Sequence, residues 1–177
     1  MHPSIILNFW FSKENNTKWF IKSEDFDSLI IKKFSTIYNK AAHGNLESWE
    51  ETSDGILALI IILDQFPRNM FRTSTQSFAT DAKALTLAKG AIAKGMDKEL
   101  AAEQQRFLYM PFMHSENLKD QDISVALFAK DKMSYNYAVR HREIIQKFGR
   151  FPHRNNLLGR KSTKEEIDFL ETPDSSF

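Results

Sequence analysis

Apolar residues recur along this chain at three- and four-residue spacing, the period of a helix that buries one face. Across Glu24–Ala42 the positions Phe26, Leu29, Ile30, Phe34, Ile37 and Tyr38 trace one such stripe. Ser23 stands where an N-cap belongs, acidic residues fill the first turn, and Gly44 follows the end. The same punctuation predicts a short helix from Pro3 through Phe11, and another over about 54–66 with Ser53 as its cap. Thr80 and Asp81 open a helix to about residue 94, ended by Gly95, and a further one runs from about 98 to 110, where Pro111 stops it. Asn117 caps a helix to about residue 133, Asn136 caps 137–148 before Gly149, and Ser162 or Thr163 starts a last one to about residue 170. The β-branched run Ile60–Ile62 also fits a buried strand, but no partner strand is visible elsewhere.

These elements predict an all-α protein, an antiparallel array of about eight short helices joined by brief connections. With 177 residues, 6 Gly and 5 Pro, the chain reads as a single all-helical domain, 1–177, in which 171–177 form a C-terminal extension. The 15 Phe and 3 Trp supply core area without staples. The absence of cysteine excludes disulfides, thiolate metal sites and a cysteine nucleophile, and fits a cytoplasmic location. No signal peptide is apparent at the start. The apolar run 56–63 stops at Asp64, far short of the roughly 20 residues that span a bilayer, so no membrane partner is expected.

Charge sharpens the picture. Residues 140–160 hold six basic side chains (Arg140, Arg142, Lys147, Arg150, Arg154, Arg160) against Glu143 alone, a local excess of +5. The rest of the chain carries 18 basic and 22 acidic groups, which returns the formal net charge of +1. All eight arginines fall between positions 68 and 160. Two segments also nearly repeat: Phe66-Pro67-Arg68-Asn69 and Phe151-Pro152-His153-Arg154-Asn155, each read as the exit of a helix. Arginines at a helix C-terminus have two jobs open to them. They offset the half negative charge and unpaired carbonyls there, a gain of about 0.3–1 kcal/mol, or they converge with a second turn to cradle an anion.

The candidate ligand-binding residues are therefore Arg68, Asn69, Arg72, His114, Glu116, Arg140, His141, Arg150, His153, Arg154 and Asn155. On a helical wheel His141 shares a face with Tyr137, Ile144, Ile145 and Phe148, which also fits a buried imidazole bonded to a carbonyl or a carboxylate. The expected partner is an anionic small molecule or a peptide terminus. A hydrolase-type enzyme using His114 or His141 with Glu116 as an acid–base pair is the alternative. A protein–protein interaction module, docking through Phe9, Trp10, Phe11, Trp19 and Phe20, is another. No zincin-type His spacing, phosphate loop or nucleophile elbow is present, so no metal or cofactor is assigned. The acidic remainder and pI near 7.9 argue against nucleic acid.

Longer words then come into view. Leu57 through Asn69 (LALIIILDQFPRN), Phe78-Ala79-Thr80-Asp81, Phe107 through Glu116 (FLYMPFMHSE), and Arg140-His141-Arg142 leading into Phe148 through Asn155 (FGRFPHRN) are similar to the signature of a widespread, mainly bacterial family known only as a domain of unknown function. The resemblance runs from Phe9-Trp10-Phe11 to Ser175-Ser176-Phe177. It implies a fold like the tetratricopeptide-repeat helical arrays and supplies no activity, although no strict 34-residue repeat is legible here. Asn8 stands where the family pattern leads one to expect Asp, and Thr73 follows Arg72 where Gly is usual.

Overall fold

The computed structural model describes residues 1–173 and Ser175, and all regular structure among them is helical. Of the 171–177 extension, Asp174, Ser176 and Phe177 lie outside the described residues. The chain forms two compact units, the first from Met1–Arg72 and Gln76–Pro111, the second from Thr73–Thr75 and Phe112–Phe177. No helix among the described residues is long and apolar enough to cross a membrane.

In the first unit α1 (Pro3–Trp10) and α2 (Glu24–Ala42) start where the local signals put them. The Ser23 hydroxyl accepts the Phe26 N–H at 3.3 Å, and Phe26, Ile30, Phe34, Ile37 and Tyr38 are buried. At the other end of α2 the Lys83 ammonium donates to the Ala41 and Ala42 carbonyls at 2.8 and 3.3 Å, a cation on the negative pole of the helix. Rings of Phe9, Trp10, Trp19, Phe26, Phe34, Phe66 and Phe107 pack edge-on or stacked within 6.4 Å of their neighbours. The aromatic segment expected as a docking patch thus supplies core: Trp10 is fully buried, while Phe20 remains 69% exposed.

The middle of this unit departs from the local reading. α3 (Ser53–Ile60) is capped by Thr52, whose hydroxyl accepts the Gly55 N–H at 3.1 Å, and Ser53 is already inside the helix. Ile60–Ile62 is helical, so the strand option is excluded. A π turn over Ile61–Gln65 then leads straight into α4 (Phe66–Met70), and the helix does not stop at Phe66-Pro67. Proline has no N–H to give to the carbonyl four residues back, which is Leu63. The Thr80 hydroxyl donates to that carbonyl instead, at 2.5 Å. This also explains why Thr80 makes no side-chain cap on α5 (Asp81–Ala93), which it precedes. With 53–70 taken as one run, the described residues form eight helical rods.

The helix α6 (Ala102–Met113), most of it in the first unit, starts later than expected and carries Pro111 inside it. In the second unit Asn117 caps α7 (Leu118–Leu127), which ends well before residue 133. α8 (Lys132–Phe148) begins at Asp131, whose carboxylate accepts the Ser134 N–H at 3.3 Å, and passes through Asn136 without a break. It stops at Gly149, in the left-handed region with φ 67°. A single 3-10 turn, Pro152–Arg154, follows, and α9 (Lys164–Leu170) opens on a reciprocal capping box between Thr163 and Glu166. Ile144, Ile145 and Phe151 form the core here, with Phe148 and Phe169 against them. Tyr137, placed on that face by the wheel, is 54% exposed.

Candidate functional site

The two similar arginine segments have different local structures and different partners. Arg68, Asn69 and Arg72 belong to the first unit, on α4 and just after it, and each faces an acidic group there. Arg68 makes two parallel bonds to Asp81, both 3.0 Å, lies 3.3 Å from Asp64, and also donates to the Asp64 carbonyl. Burial works against its charge, but Asp64 and Asp81 outweigh burial and hold the guanidinium protonated. Asn69 donates to Asp27 at 2.8 Å, and Arg72 grips the same carboxylate at 2.5 and 2.8 Å. Asp27 therefore joins the first turn of α2 to the end of α4. Local pattern missed this because Asp27 and Arg72 are 45 residues apart.

In the second unit, segments 112–116 and 150–155 do come together. The loop after α6 is fixed by Gln121, whose amide donates to the carbonyls of Phe112, Met113 and Ser115 at 3.4, 2.8 and 2.6 Å, and by Asp120, which accepts from the Ser115 hydroxyl at 2.8 Å. That places the Glu116 carboxylate to accept the Phe151 N–H at 2.8 Å and two Arg160 N–H groups at 2.7 and 2.9 Å. Burial would raise the pKa of Glu116, yet these bonds prevail and hold its carboxyl below the ordinary range. Arg160 also donates to the Asn155 side chain at 2.9 Å and to the Phe151 carbonyl at 3.2 Å. Asn155 is fully buried and gives its amide to the Ser162 hydroxyl at 3.1 Å. Arg150 makes a two-pronged bond to Glu166 at 2.6 and 2.8 Å, which brings the Glu166 carboxyl down to about 2. Glu116 thus braces Phe151 and Arg160 through three hydrogen bonds.

A second group of basic side chains surrounds one ring. Phe151 is fully buried. The Arg154 guanidinium lies 4.5 Å from its centroid, the His141 ring meets it edge-on at 5.5 Å, and the His153 ring lies at 5.6 Å. His141 is 5% exposed, and its Nδ1 lies 2.8 Å from the Tyr137 carbonyl. A carbonyl only accepts, so Nδ1 carries the hydrogen and Nε2 is the basic nitrogen. Burial is the largest influence on this ring. It outweighs the Tyr137 bond and, with the nearby His114, Arg154 and His153, brings the imidazole down to about 3. Arg140 stands apart on α8, 3.7 Å from Glu143 and over the Phe169 ring at 5.8 Å, with its Nε buried and lacking a hydrogen-bond partner among the described residues.

Sequence reasoning passed over Arg160, Glu166, Gln121 and Asp27. The capping-box spacing of Thr163 and Glu166 was the one available signal, and it identified a helix start, not an Arg150 partner. A cleft of about 260 Å³ in the first unit, lined by Thr52, Ser53, Asp54, Glu99 and Leu100, contains none of the expected site residues and is acidic. No group of three or more His, Asp or Glu among the described residues is placed to hold a metal ion.

Residues 6–174 match the family model described as a bacterial protein of unknown function, DUF924. No curated protein matches the chain. A solved structure is similar over nearly its whole length: a protein of unknown function, ATU0120, from Agrobacterium tumefaciens, 38% identical, with 96% of each chain covered and a TM-score of 0.92. The chain belongs to the bacterial DUF924 family of proteins of unknown function.

Proposed function

We propose that this protein binds an anionic small molecule or a peptide terminus at the basic side chains grouped around Phe151. Its framework would be a helical array of the tetratricopeptide-like kind that the family resemblance implies. The observation that carries the reading is the placing of His141, His153 and Arg154 against one buried ring. A guanidinium and two imidazoles offer N–H donors to an anion, and bonds to a charged group are the stronger kind. Arg68, Arg72, Arg150 and Arg160 each hold a carboxylate of the chain itself. The reading centres on His141, His153 and Arg154, the expected site residues that share Phe151.

Calorimetric titration with sulfate, and with a short peptide carrying a free or an amidated C-terminus, tests the reading. Arg154→Met keeps the volume and removes the charge, and it is expected to weaken binding by about tenfold or more, the loss of one charge-assisted hydrogen bond. Arg150→Met is expected to lower the melting temperature while leaving affinity within about twofold. Unchanged affinity in Arg154→Met, or equal losses in both variants, would sink the proposal.

A further inference from the structure

We propose that α7 binds one internal water molecule between the Gln121 side-chain carbonyl and the Ser124 hydroxyl, and that this water helps to hold segment 112–116. The inference is independent of the anion reading and concerns other residues. Gln121 and Ser124 are both fully buried, and their Oε1 and Oγ atoms have no hydrogen-bond partner among the described residues. Their main chains are engaged in the usual way. The Gln121 N–H donates to the Asn117 carbonyl at 3.1 Å, and the Ser124 carbonyl accepts the Phe128 N–H at 3.0 Å. The unmet bonds therefore belong to the side chains. Polar atoms taken out of water and left unpaired cost free energy, which is why buried ones are bonded as a rule.

The chemistry of the two atoms says what sits there. Residues three apart on a helix share a face, with Cβ atoms about 5–6 Å from each other, a span that one bridging molecule covers. The Gln121 amide has a fixed sense, because its Nε2 donates to the carbonyls of Phe112, Met113 and Ser115, which leaves Oε1 as an acceptor only. Ser124 also departs from other hydroxyls on the helices. Those of Ser35 and Thr86 turn back to the carbonyls of Ile31 and Ala82, four residues earlier, but Ser124 makes no such bond to Asp120. The occupant must donate to Oε1 and bond Oγ as well, and water is the smallest molecule that does both. Its bond to Oε1 fixes the same amide that holds the segment leading to Glu116.

Oxygen-17 relaxation dispersion of the solvent counts the waters that a protein holds for longer than it takes to tumble. Ser124→Ala removes one of the two partners, and its count should be lower than that of the wild-type protein by about one. An unchanged count overturns the inference. If Ser124→Ala does not fold, a high-resolution crystal structure of the wild-type protein decides. Density for a single oxygen about 3 Å from both Gln121 Oε1 and Ser124 Oγ is the expected result. A direct bond between the two side chains, or a Ser124 hydroxyl turned onto the Asp120 carbonyl with no density beside it, overturns the inference. Neither outcome bears on the anion site.

Discussion

A methyl group is enough to separate two glycines that look alike in the sequence. Gly55 is in the first turn of α3, and a Cβ there would lie 2.1 Å from the Trp49 carbonyl oxygen and 2.8 Å from the Thr52 hydroxyl. Gly90 is inside α5 with nothing within 4 Å of the same added atom. Gly55→Ala should therefore cost about 2 kcal/mol or more, because backbone must move and the Thr52 cap is disturbed. Gly90→Ala should stabilise by about 0.5–1 kcal/mol, the helix-propensity difference alone. Urea melts of the two variants check this, and a destabilised Gly90→Ala would contradict it. Pro67 makes the same point from the other side. Its missing N–H is visible in the sequence, but the hydroxyl that replaces it, Thr80, is identifiable only once α5 is placed beside the π turn.

At the scale of elements, the ends of helices are where local reading succeeded or failed. Ser23 and Thr163 were legible because an N-cap acts within three residues of itself. The start of α8 was placed at Asn136, but Asp131 does that work and Asn136 is a helical, exposed residue. Both fit the cap pattern, and only the chain path selects one. Asp131→Ala should cost about 1 kcal/mol, whereas Asn136→Ala should change stability by less than about 0.5 kcal/mol. Thermal unfolding of the pair tests the assignment, and the reverse order would return the helix start to Asn136. The wheel anticipated a buried His141, since helical spacing sets which side chains share a face, but left open whether a carbonyl or a carboxylate would bond it. It could not tell that Tyr137, one turn earlier, lies where the covering elements leave it exposed.

Across the whole molecule, burial and pairing set how the fold responds to acid. His141 is brought from its ordinary 6.5 to about 3, and Glu166 from 4.5 to about 2. Both groups titrate lower in the folded chain, so below their ordinary values the unfolded chain binds more protons. Their contribution is complete above pH 6.5. It should decline first through His141 as pH falls toward 3, then through Glu166 from 4.5 toward 2. The urea midpoint of the protein should accordingly start to fall below about pH 6.5, before ordinary carboxylates titrate. A midpoint that is flat from pH 7 to pH 5 would contradict the burial of a neutral His141.

The arginine-rich stretch follows the same division between near and far. Its local excess of charge was plain from composition. Composition could not say that Arg150 and Arg160 are engaged by Glu166 and Glu116, from 16 and 44 residues away, while three basic groups share Phe151. The all-helical class and most helix positions follow from the sequence alone, because periodicity, caps and breakers act over a few residues. Which arginines are neutralised, how Pro67 is carried inside a helix, and which side chains surround Phe151 were decided only by tertiary structure. Hydrogen bonds and Coulomb forces act between groups that folding brings together, whatever their separation along the chain.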